Sequence, residues 1–150
     1  TPSADITRVD FIVLLVRSLG LEAEVDGNIS DVKADAYYAR QVGIARKLGI
    51  TNGVGNNMFN PNEKIKRQDM MALIDRAMDV AGKNLEDGTP ADLAGFADRE
   101  IIASYAKDSV ATLVRSGIIK GDGTNINPLG NTTRAEAAVI MYRIYNKIYS

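Results

Sequence analysis

The chain has 150 residues, 45% of them hydrophobic, which is the size of one ordinary domain and enough to bury a core. Its 18 Lys and Arg against 19 Asp and Glu leave a net charge of −1, which argues against nucleic acid or an anionic membrane surface as the partner. Cysteine and histidine are absent, so disulfides, thiolate or histidine metal sites and histidine-based catalysis are excluded, and we predict a non-enzymatic protein without metal or cofactor.

Helical periodicity predicts an all-α fold. The five predicted helices span residues 7–19, 35–48, 66–81, 100–116 and 133–148. Glycines at 20, 49, 82 and 117 stand where helix C-caps belong. The last helix carries an apolar stripe with one charge in it, Arg143, and we predict that its tyrosines 142, 145 and 149 pack and anchor it. No apolar run reaches the ~18 residues that a membrane span needs.

A pentad built around an arginine occurs at the start of three of these helices. Its copies are Ile6-Thr7-Arg8-Val9-Asp10, Ile65-Lys66-Arg67-Gln68-Asp69 and Thr132-Thr133-Arg134-Ala135-Glu136. A proline stands six residues before each arginine, at positions 2, 61 and 128. The first and third copies fit a capping box, whereas the middle copy has lysine in place of the capping threonine, which predicts a weaker cap there.

A different half-unit, which forms the first half of each full repeat, occurs twice. Ile29-Ser30-Asp31-Val32 matches Phe96-Ala97-Asp98-Arg99, and the turn Gly53-Val54-Gly55 matches Gly121-Asp122-Gly123. We therefore predict the second half of a first repeat at 1–28 (unit 1), a full repeat at 29–81 (unit 2), a linker at 82–95 and a second full repeat at 96–150 (unit 3). Self-similarity of this kind is typical of stacked units that bury one another.

The pentad arginines are the strongest candidates for a binding site. Each is predicted at the first helical position, where the free N–H groups and the helix dipole favour an anion. One interpretation of Arg8, Arg67 and Arg134 is an anion clamp in which guanidinium and helix N-terminus hold a carboxylate or phosphate. The alternative is that each arginine pairs with a neighbouring acid or packs its stem on the next unit.

Other candidates lie in the first half-units. The turn glycines Gly53 and Gly121 offer backbone N–H groups to a ligand or simply form tight turns. Tyr37 and Tyr105 offer faces on which sugar rings stack, or pack as parts of amphipathic helices. The carboxylates preceding the first helices, at positions 31 and 98, either cap structure, or hydrogen-bond ligand hydroxyls or orient a site arginine.

These motifs resemble the S-layer homology (SLH) modules of bacterial surface proteins. Thr133-Arg134-Ala135-Glu136 reproduces the core of that family's ITRAE motif, and Ile29-Ser30-Asp31-Val32 and Phe96-Ala97-Asp98 resemble its opening F-x-D-V. Leu48-Gly49-Ile50 and Gly117-Ile118-Ile119, with the turns and the Asn-Pro pairs that follow, resemble its LGII-x-G-x-G-D-G-T-F-x-P-N segment. The resemblance covers nearly all of the chain apart from the linker.

The resemblance implies a pseudo-threefold helical bundle that is secreted and lies at the cell wall or S-layer surface of Gram-positive bacteria. It implies non-covalent anchoring by pyruvylated secondary cell-wall polysaccharide, whose carboxylate suits the arginine sites. Carried over by position, the implied groove residues are Arg8, Arg67, Arg134, Asp31, Asp98, Gly53 and Gly121. Two grooves are then whole, Arg8 with 31–53 and Arg67 with 98–121.

Arg134, in that interpretation, needs the missing half-repeat, which a second chain, upstream sequence or a neighbouring S-layer protein would supply. The family's common first-helix tryptophan is tyrosine here, which weakens the expected sugar stacking. The competing hypothesis is a helical protein–protein interaction scaffold of the S-layer without direct glycan binding.

Overall fold

The fold is that of a computed structural model in which residues 3–25, 27, 29–52 and 59–149 are described. Five α-helices form within these residues: α1 (Arg8–Ser18), α2 (Ala39–Lys47), α3 (Arg67–Val80), α4 (Lys107–Arg115) and α5 (Arg134–Tyr149). Three short 3₁₀ helices lie at Pro90–Leu93, Arg99–Ile101 and Ser104–Ala106. The described residues contain only isolated β-bridges outside the helices, so the all-α prediction is confirmed.

The three pentad helices α1, α3 and α5 begin and end within two residues of the predicted positions. At the start of α1, Thr7 Oγ1 accepts the Asp10 N–H at 3.2 Å. At the start of α5, Thr133 and Glu136 form the reciprocal capping box, with bonds of 3.1 and 3.3 Å. Lys66 makes no side-chain cap at the start of α3, as predicted. The four predicted C-cap glycines all adopt positive φ, between 62° and 79°.

The helices of the first half-units are shorter than predicted. α2 starts at Ala39 rather than at residue 35, and 99–106 forms two 3₁₀ helices instead of the first turns of α4. The break lies at Ile102 and Ala103, whose ψ angles of 127° and 144° are extended. The cause is tertiary, since the Ala103 N–H donates to the buried side chain of Gln68 on α3 at 2.9 Å and leaves the helical pattern.

The residues before the three pentad helices meet in a closed ring. The Ile6 N–H donates to the Thr132 carbonyl (2.8 Å), the Thr132 N–H to Ile65 (3.0 Å), and the Ile65 N–H to Ile6 (3.3 Å). All three side chains are buried. Because equivalent residues of units 1, 2 and 3 occupy the three corners, the ring defines a pseudo-threefold arrangement of α1, α3 and α5.

The core lies where the pentad helices meet the first-half helices, with α2 packed on α1 and α4 packed on α3. The linker adds to it, because Leu93 in the 3₁₀ helix Pro90–Leu93 is buried beside α4. The core residues share near-complete burial of apolar side chains; they include Phe11, Ile12, Leu15, Val42, Ile44, Met70, Ile74, Val110, Leu113, Ala137 and Ile144.

The tyrosines of α5 do not anchor the helix as predicted. Tyr142, Tyr145 and Tyr149 are 66%, 59% and 69% exposed, and Tyr145 contacts Tyr149 with ring centroids 4.7 Å apart. Among the described helices, α5 packs chiefly on α1, so its tyrosine face stays exposed. The prediction was wrong because a first-half helix covers the matching face of the other pentad helices, α2 on α1 and α4 on α3. For example, Val16, at the position of Tyr142 in α1, is buried.

Candidate functional site

Two grooves at equivalent places are lined by four of the candidate residues, Arg8, Arg67, Tyr105 and Gly121. Groove 1, of about 300 Å³, lies between α1, the turn after α2 and α3. Groove 2, of about 380 Å³, lies between α3, the turn after α4 and α5. The polar residues lining groove 1 are Arg8, Thr51, Asn52, Asp69, Arg76 and Tyr105. The residues lining groove 2 include Arg67, Lys120, Gly121, Asp122, Glu136 and Arg143.

The pentad arginines have three different surroundings. Arg8 donates from Nε to the Phe59 carbonyl at 3.1 Å and lies 4.9 Å from the centre of that ring, and no described carboxylate lies within ion-pair distance of it. Arg67 is held by Glu136 through two bonds, Nε to Oε2 at 2.8 Å and Nη2 to Oε1 at 2.6 Å. Arg134 lies in neither groove and donates to Asp10 at 2.8 Å. The contacts of Arg67 and Arg134 are those of the ion-pair alternative.

The first N–H groups of the pentad helices, which the anion-clamp interpretation assigns to a ligand, have acceptors within the protein. The Arg8 N–H donates to the Glu63 carbonyl at 2.8 Å, and the corresponding N–H groups of Arg67 and Arg134 donate to Gly130 and Ala4, each at 2.9 Å. The next N–H group on α1 and on α3 donates to the carbonyl of a repeated proline, Pro61 or Pro128. These N–H groups link the backbones of neighbouring units and are taken up by protein carbonyls. The positive charge of the site therefore comes from the guanidinium groups.

The candidate tyrosines lie at acids of the preceding unit. The Tyr37 hydroxyl donates to Asp10 at 2.7 Å, and the Tyr105 hydroxyl donates to Asp69. Burial and the hydrogen bond to Asp69 raise the pKa of Tyr105 to about 12, and the bond to Asp10 raises the pKa of Tyr37. Both hydroxyls therefore stay protonated as donors at neutral pH. Tyr105 lines groove 1, whereas Tyr37 meets Arg134 through their shared partner Asp10.

Burial acts to raise the pKa of Asp10, but the hydrogen bonds from Tyr37 and Arg134 outweigh it, so this pKa lies below its usual value. Asp10 is therefore ionised at neutral pH and holds a tyrosine of unit 2 and an arginine of unit 3 at once.

The carboxylates at 31 and 98 brace the chain behind the grooves. Asp31 accepts the N–H groups of Phe59 and Asn60, both at 2.6 Å, and Asp98 accepts those of Ile126 and Asn127 at 2.9 and 2.8 Å. Asn60 and Asn127 both have φ of 57°, a conformation that asparagine tolerates better than most residues. The Asp31 contact also positions Arg8, because the carbonyl of the same Phe59 accepts the Arg8 Nε–H.

The turn of unit 3 reaches groove 2 through Gly121. Its φ is 65°, and a Cβ there would lie 2.6 Å from the Asn125 carbonyl oxygen and 2.8 Å from the ring of Phe96, so only glycine fits. Gly53, its counterpart in unit 2, lies outside the described residues. The structure thus brings Arg67 to Gly121, and Arg8 to the turn preceding residue 53.

A second pair of arginines lines the grooves and was missed in the sequence. Arg76 donates to the Ile50 carbonyl and Arg143 to the Ile118 carbonyl, both at 3.2 Å. Each ties a pentad helix to the preceding turn, and each guanidinium has more donors than this one bond uses. The signal was present, since an arginine follows each pentad arginine by nine residues, at 17, 76 and 143.

Comparison with known proteins identifies the family of the repeats. The S-layer homology domain matches residues 28–71 and 95–138, more than half of the chain. The chain belongs to the S-layer homology family. SLH domains anchor proteins to the cell envelope, and the family with its surface-protein members indicates a cell-surface location.

The relatives include surface-layer proteins and enzymes. The chain is 36% identical to an amylopullulanase of Thermoanaerobacterium thermosulfurigenes over 97% of its length, which is 8% of that enzyme. It is 32% identical to a surface-layer 125 kDa protein of Lysinibacillus sphaericus over 98% of its length and 12% of the relative. An S-layer protein of Bacillus anthracis is 31% identical, over 91% of this chain and 16% of the relative. The SLH chain thus spans less than a fifth of each of these relatives.

Neither a membrane helix nor a metal cluster is found in the described part of the SLH chain. None of its described helices combines the length and apolar character that crossing a membrane requires. No group of three acidic side chains able to hold a metal ion occurs among the same residues.

Proposed function

We propose that the chain is a carbohydrate-binding anchor that attaches a bacterial surface protein to pyruvylated secondary cell-wall polysaccharide and has no catalytic role. The observation that carries the proposal is the pair of equivalent grooves, each with a pentad arginine on one side and a second arginine on the other. The enzymes among the relatives support a binding role, because they align with the chain over only a small part of their length.

The pyruvate ketal carries a carboxylate, and arginine is the side chain best suited to bind it through paired hydrogen bonds. In groove 1 the ligand carboxylate would take the free donors of Arg8, with Arg76 on the opposite side. These charge-assisted bonds give selectivity for the pyruvylated sugar, because removing the pyruvate leaves the arginines without their partner.

Sugar stacking is the second part of the proposed mechanism. Tyr105 is 59% exposed at groove 1 while its hydroxyl donates to Asp69. An oriented aromatic face of this kind packs well against the apolar face of a sugar ring.

Calorimetric titration with a synthetic pyruvylated N-acetylmannosamine glycoside tests this proposal, with the non-pyruvylated sugar alongside. We expect selective binding of the pyruvylated form and a loss of at least about ten-fold in affinity at its groove for Arg8→Ala. Arg17→Ala is the matched control, because Arg17 is exposed and lines neither groove. Wild-type affinity for wall polysaccharide in all three of the variants Arg8→Ala, Arg67→Ala and Arg134→Ala would make the mechanism wrong.

The exposed tyrosines of α5 favour a second candidate, a protein-interaction scaffold of the S-layer without direct glycan binding. Aromatic residues exposed together on one helix are enriched at protein interfaces. If the chain is such a scaffold, it should bind a purified S-layer protein and should not bind wall polysaccharide. Tyr145→Ser should weaken the binding to the S-layer protein. Glycan binding that Tyr145→Ser leaves unchanged would exclude it.

A further inference from the structure

Groove 2 contains a carboxylate of the protein in the place that a ligand carboxylate would take. Glu136 holds Arg67 through two parallel bonds of 2.6 and 2.8 Å, and the two side chains are only 35% and 22% exposed. This two-pronged contact is the geometry by which arginine binds any carboxylate, a ligand's included.

The space for this contact comes from Gly130. A Cβ at position 130 would lie 2.3 Å from Nη1 of Arg67. The equivalent residue, the one whose carbonyl accepts the pentad arginine N–H, is Glu63, which accepts from Arg8. Because Glu63 carries a Cβ, the guanidinium of Arg8 would have to shift from the position that Arg67 takes.

The pentad acids differ as well. Unit 3 has Glu136, one methylene longer than the Asp69 of unit 2, and this length helps the carboxylate reach Arg67. In groove 1, Asp69 accepts the Tyr105 hydroxyl instead, while Arg8 lies over the Phe59 ring. Arg8 is thus without an ion-pair partner among the described residues, although it lines the same groove as an acid.

We propose that Glu136 is an internal ligand of groove 2, so that a free carboxylate binds groove 1 first and enters groove 2 only by displacing Glu136 from Arg67. This inference rests on the proposed function in taking a carboxylate as the ligand, and it adds an order of occupancy for the two grooves. A ligand at groove 1 breaks no ion pair among the described residues, whereas a ligand at groove 2 exchanges one carboxylate for another.

The ionisation of Glu136 agrees with this role. Burial acts to raise its pKa, but the hydrogen bonds and positive charge of Arg67 outweigh burial, so the pKa lies below its usual value of 4.5. At neutral pH the internal ligand is therefore charged and competes fully.

The test follows the Nε–Hε signals of Arg8 and Arg67 by NMR while sodium pyruvate is added at constant ionic strength. The two signals are assigned with Arg8→Lys and Arg67→Lys. In the wild type we expect the Arg8 signal to reach half its shift at about ten-fold less pyruvate than the Arg67 signal. Glu136→Gln should bring the Arg67 midpoint close to that of Arg8, because glutamine keeps the capping box but cannot pair with arginine as a carboxylate does.

Asp69→Asn is the matched control, since it removes one negative charge at the equivalent pentad position of groove 1. It should leave the Arg67 midpoint unchanged. The proposal is overturned if Arg67 responds together with Arg8 in the wild type, if Glu136→Gln does not move the Arg67 midpoint, or if neither arginine responds in either protein. Because pyruvate carries no sugar, the expected result combined with no glycoside binding would overturn the polysaccharide assignment alone.

Discussion

Grooves 1 and 2 have the same framework and different side-chain pairing. Both lie between a pentad arginine, the turn of the next unit and the pentad helix of that unit, and both have a second arginine bonded to a turn carbonyl. In groove 1 the pentad acid holds a tyrosine of a third unit, and in groove 2 it holds the pentad arginine itself.

The difference shows how a repeated backbone gives sites that are not equivalent. The ring hydrogen bonds and the braced turns repeat between units, so the groove walls recur. The pairing inside each groove depends on single substitutions, such as Gly130 for Glu63 and Glu136 for Asp69, that leave this framework unchanged. The repeat therefore determines the backbone position of each pentad arginine, whereas the partner of its side chain depends on the residues around it.

Removing the carboxylate of Asp31 or Asp98 should have the largest effect on stability, because these residues hold the framework that the two grooves share. Asp31→Ala and Asp98→Ala each leave two backbone N–H groups without their acceptor, so we expect each to lower the free energy of unfolding by about 2–3 kcal/mol. Urea unfolding of both variants measures this loss. Asp98→Asn keeps one acceptor oxygen and should lose about half as much. Unchanged stability together with lost glycoside binding would instead assign these residues to direct ligand contact.

The pentad arginines should differ in stability by a smaller amount. Arg67→Ala removes two charge-assisted bonds at a half-buried pair, for which we expect a loss of about 1–2 kcal/mol, whereas Arg8→Ala removes one bond to a carbonyl and should lose about 0.5–1 kcal/mol. Chemical unfolding of the two variants in the same buffer gives the comparison. Equal losses would mean that the Arg67–Glu136 pair adds nothing to the folded state.

This stability difference should also depend on pH. The pKa of Glu136 is lowered in the folded state, so its pairing energy is fully present above the unfolded value near 4.5 and is lost as pH falls through the lowered folded value. The gap in free energy of unfolding between wild type and Arg67→Ala should therefore shrink below pH 4.5. The corresponding gap for Arg8→Ala should stay constant, because no described carboxylate pairs with Arg8.

The sequence predicted the features that depend on local pattern. Apolar periodicity located α1, α3 and α5, and the Thr7 and Thr133 caps followed from spacing within one turn. It missed the break at Ile102 and Ala103, because the side chain that causes it, Gln68, is 35 residues away. Local propensity does not report such a contact.

The candidate site shows the same limit. The sequence placed arginines, tyrosines and turn glycines at the unit boundaries, and several of them do meet there. The partners of those side chains depend on contacts between units, such as Tyr37 with Asp10 across 27 residues and Arg67 with Glu136 across 69. Arg76 and Arg143 were within reach of sequence analysis, because their nine-residue spacing repeats.

The smallest expected effect concerns the ring that fixes both grooves in place. Two of its corners carry Ile6 and Ile65, but the third carries Thr132, which is fully buried and whose hydroxyl has no hydrogen-bond partner among the described residues. Thr132→Val keeps the shape and removes the unpaired hydroxyl, so we expect the protein to gain about 0.5–1 kcal/mol in urea unfolding.

Thr112→Val is the matched control, since the hydroxyl of this buried threonine accepts the Gly88 N–H at 3.0 Å, and we expect it to lose about 1 kcal/mol. Destabilisation by Thr132→Val would show instead that its hydroxyl is hydrogen-bonded in solution. The ring residues are joined by backbone hydrogen bonds, which Thr132→Val keeps. The substitution should therefore leave the pyruvate midpoints of Arg8 and Arg67 at their wild-type values. A gain in stability without a change in either midpoint would separate the framework, which the grooves share, from the side-chain pairing, in which they differ.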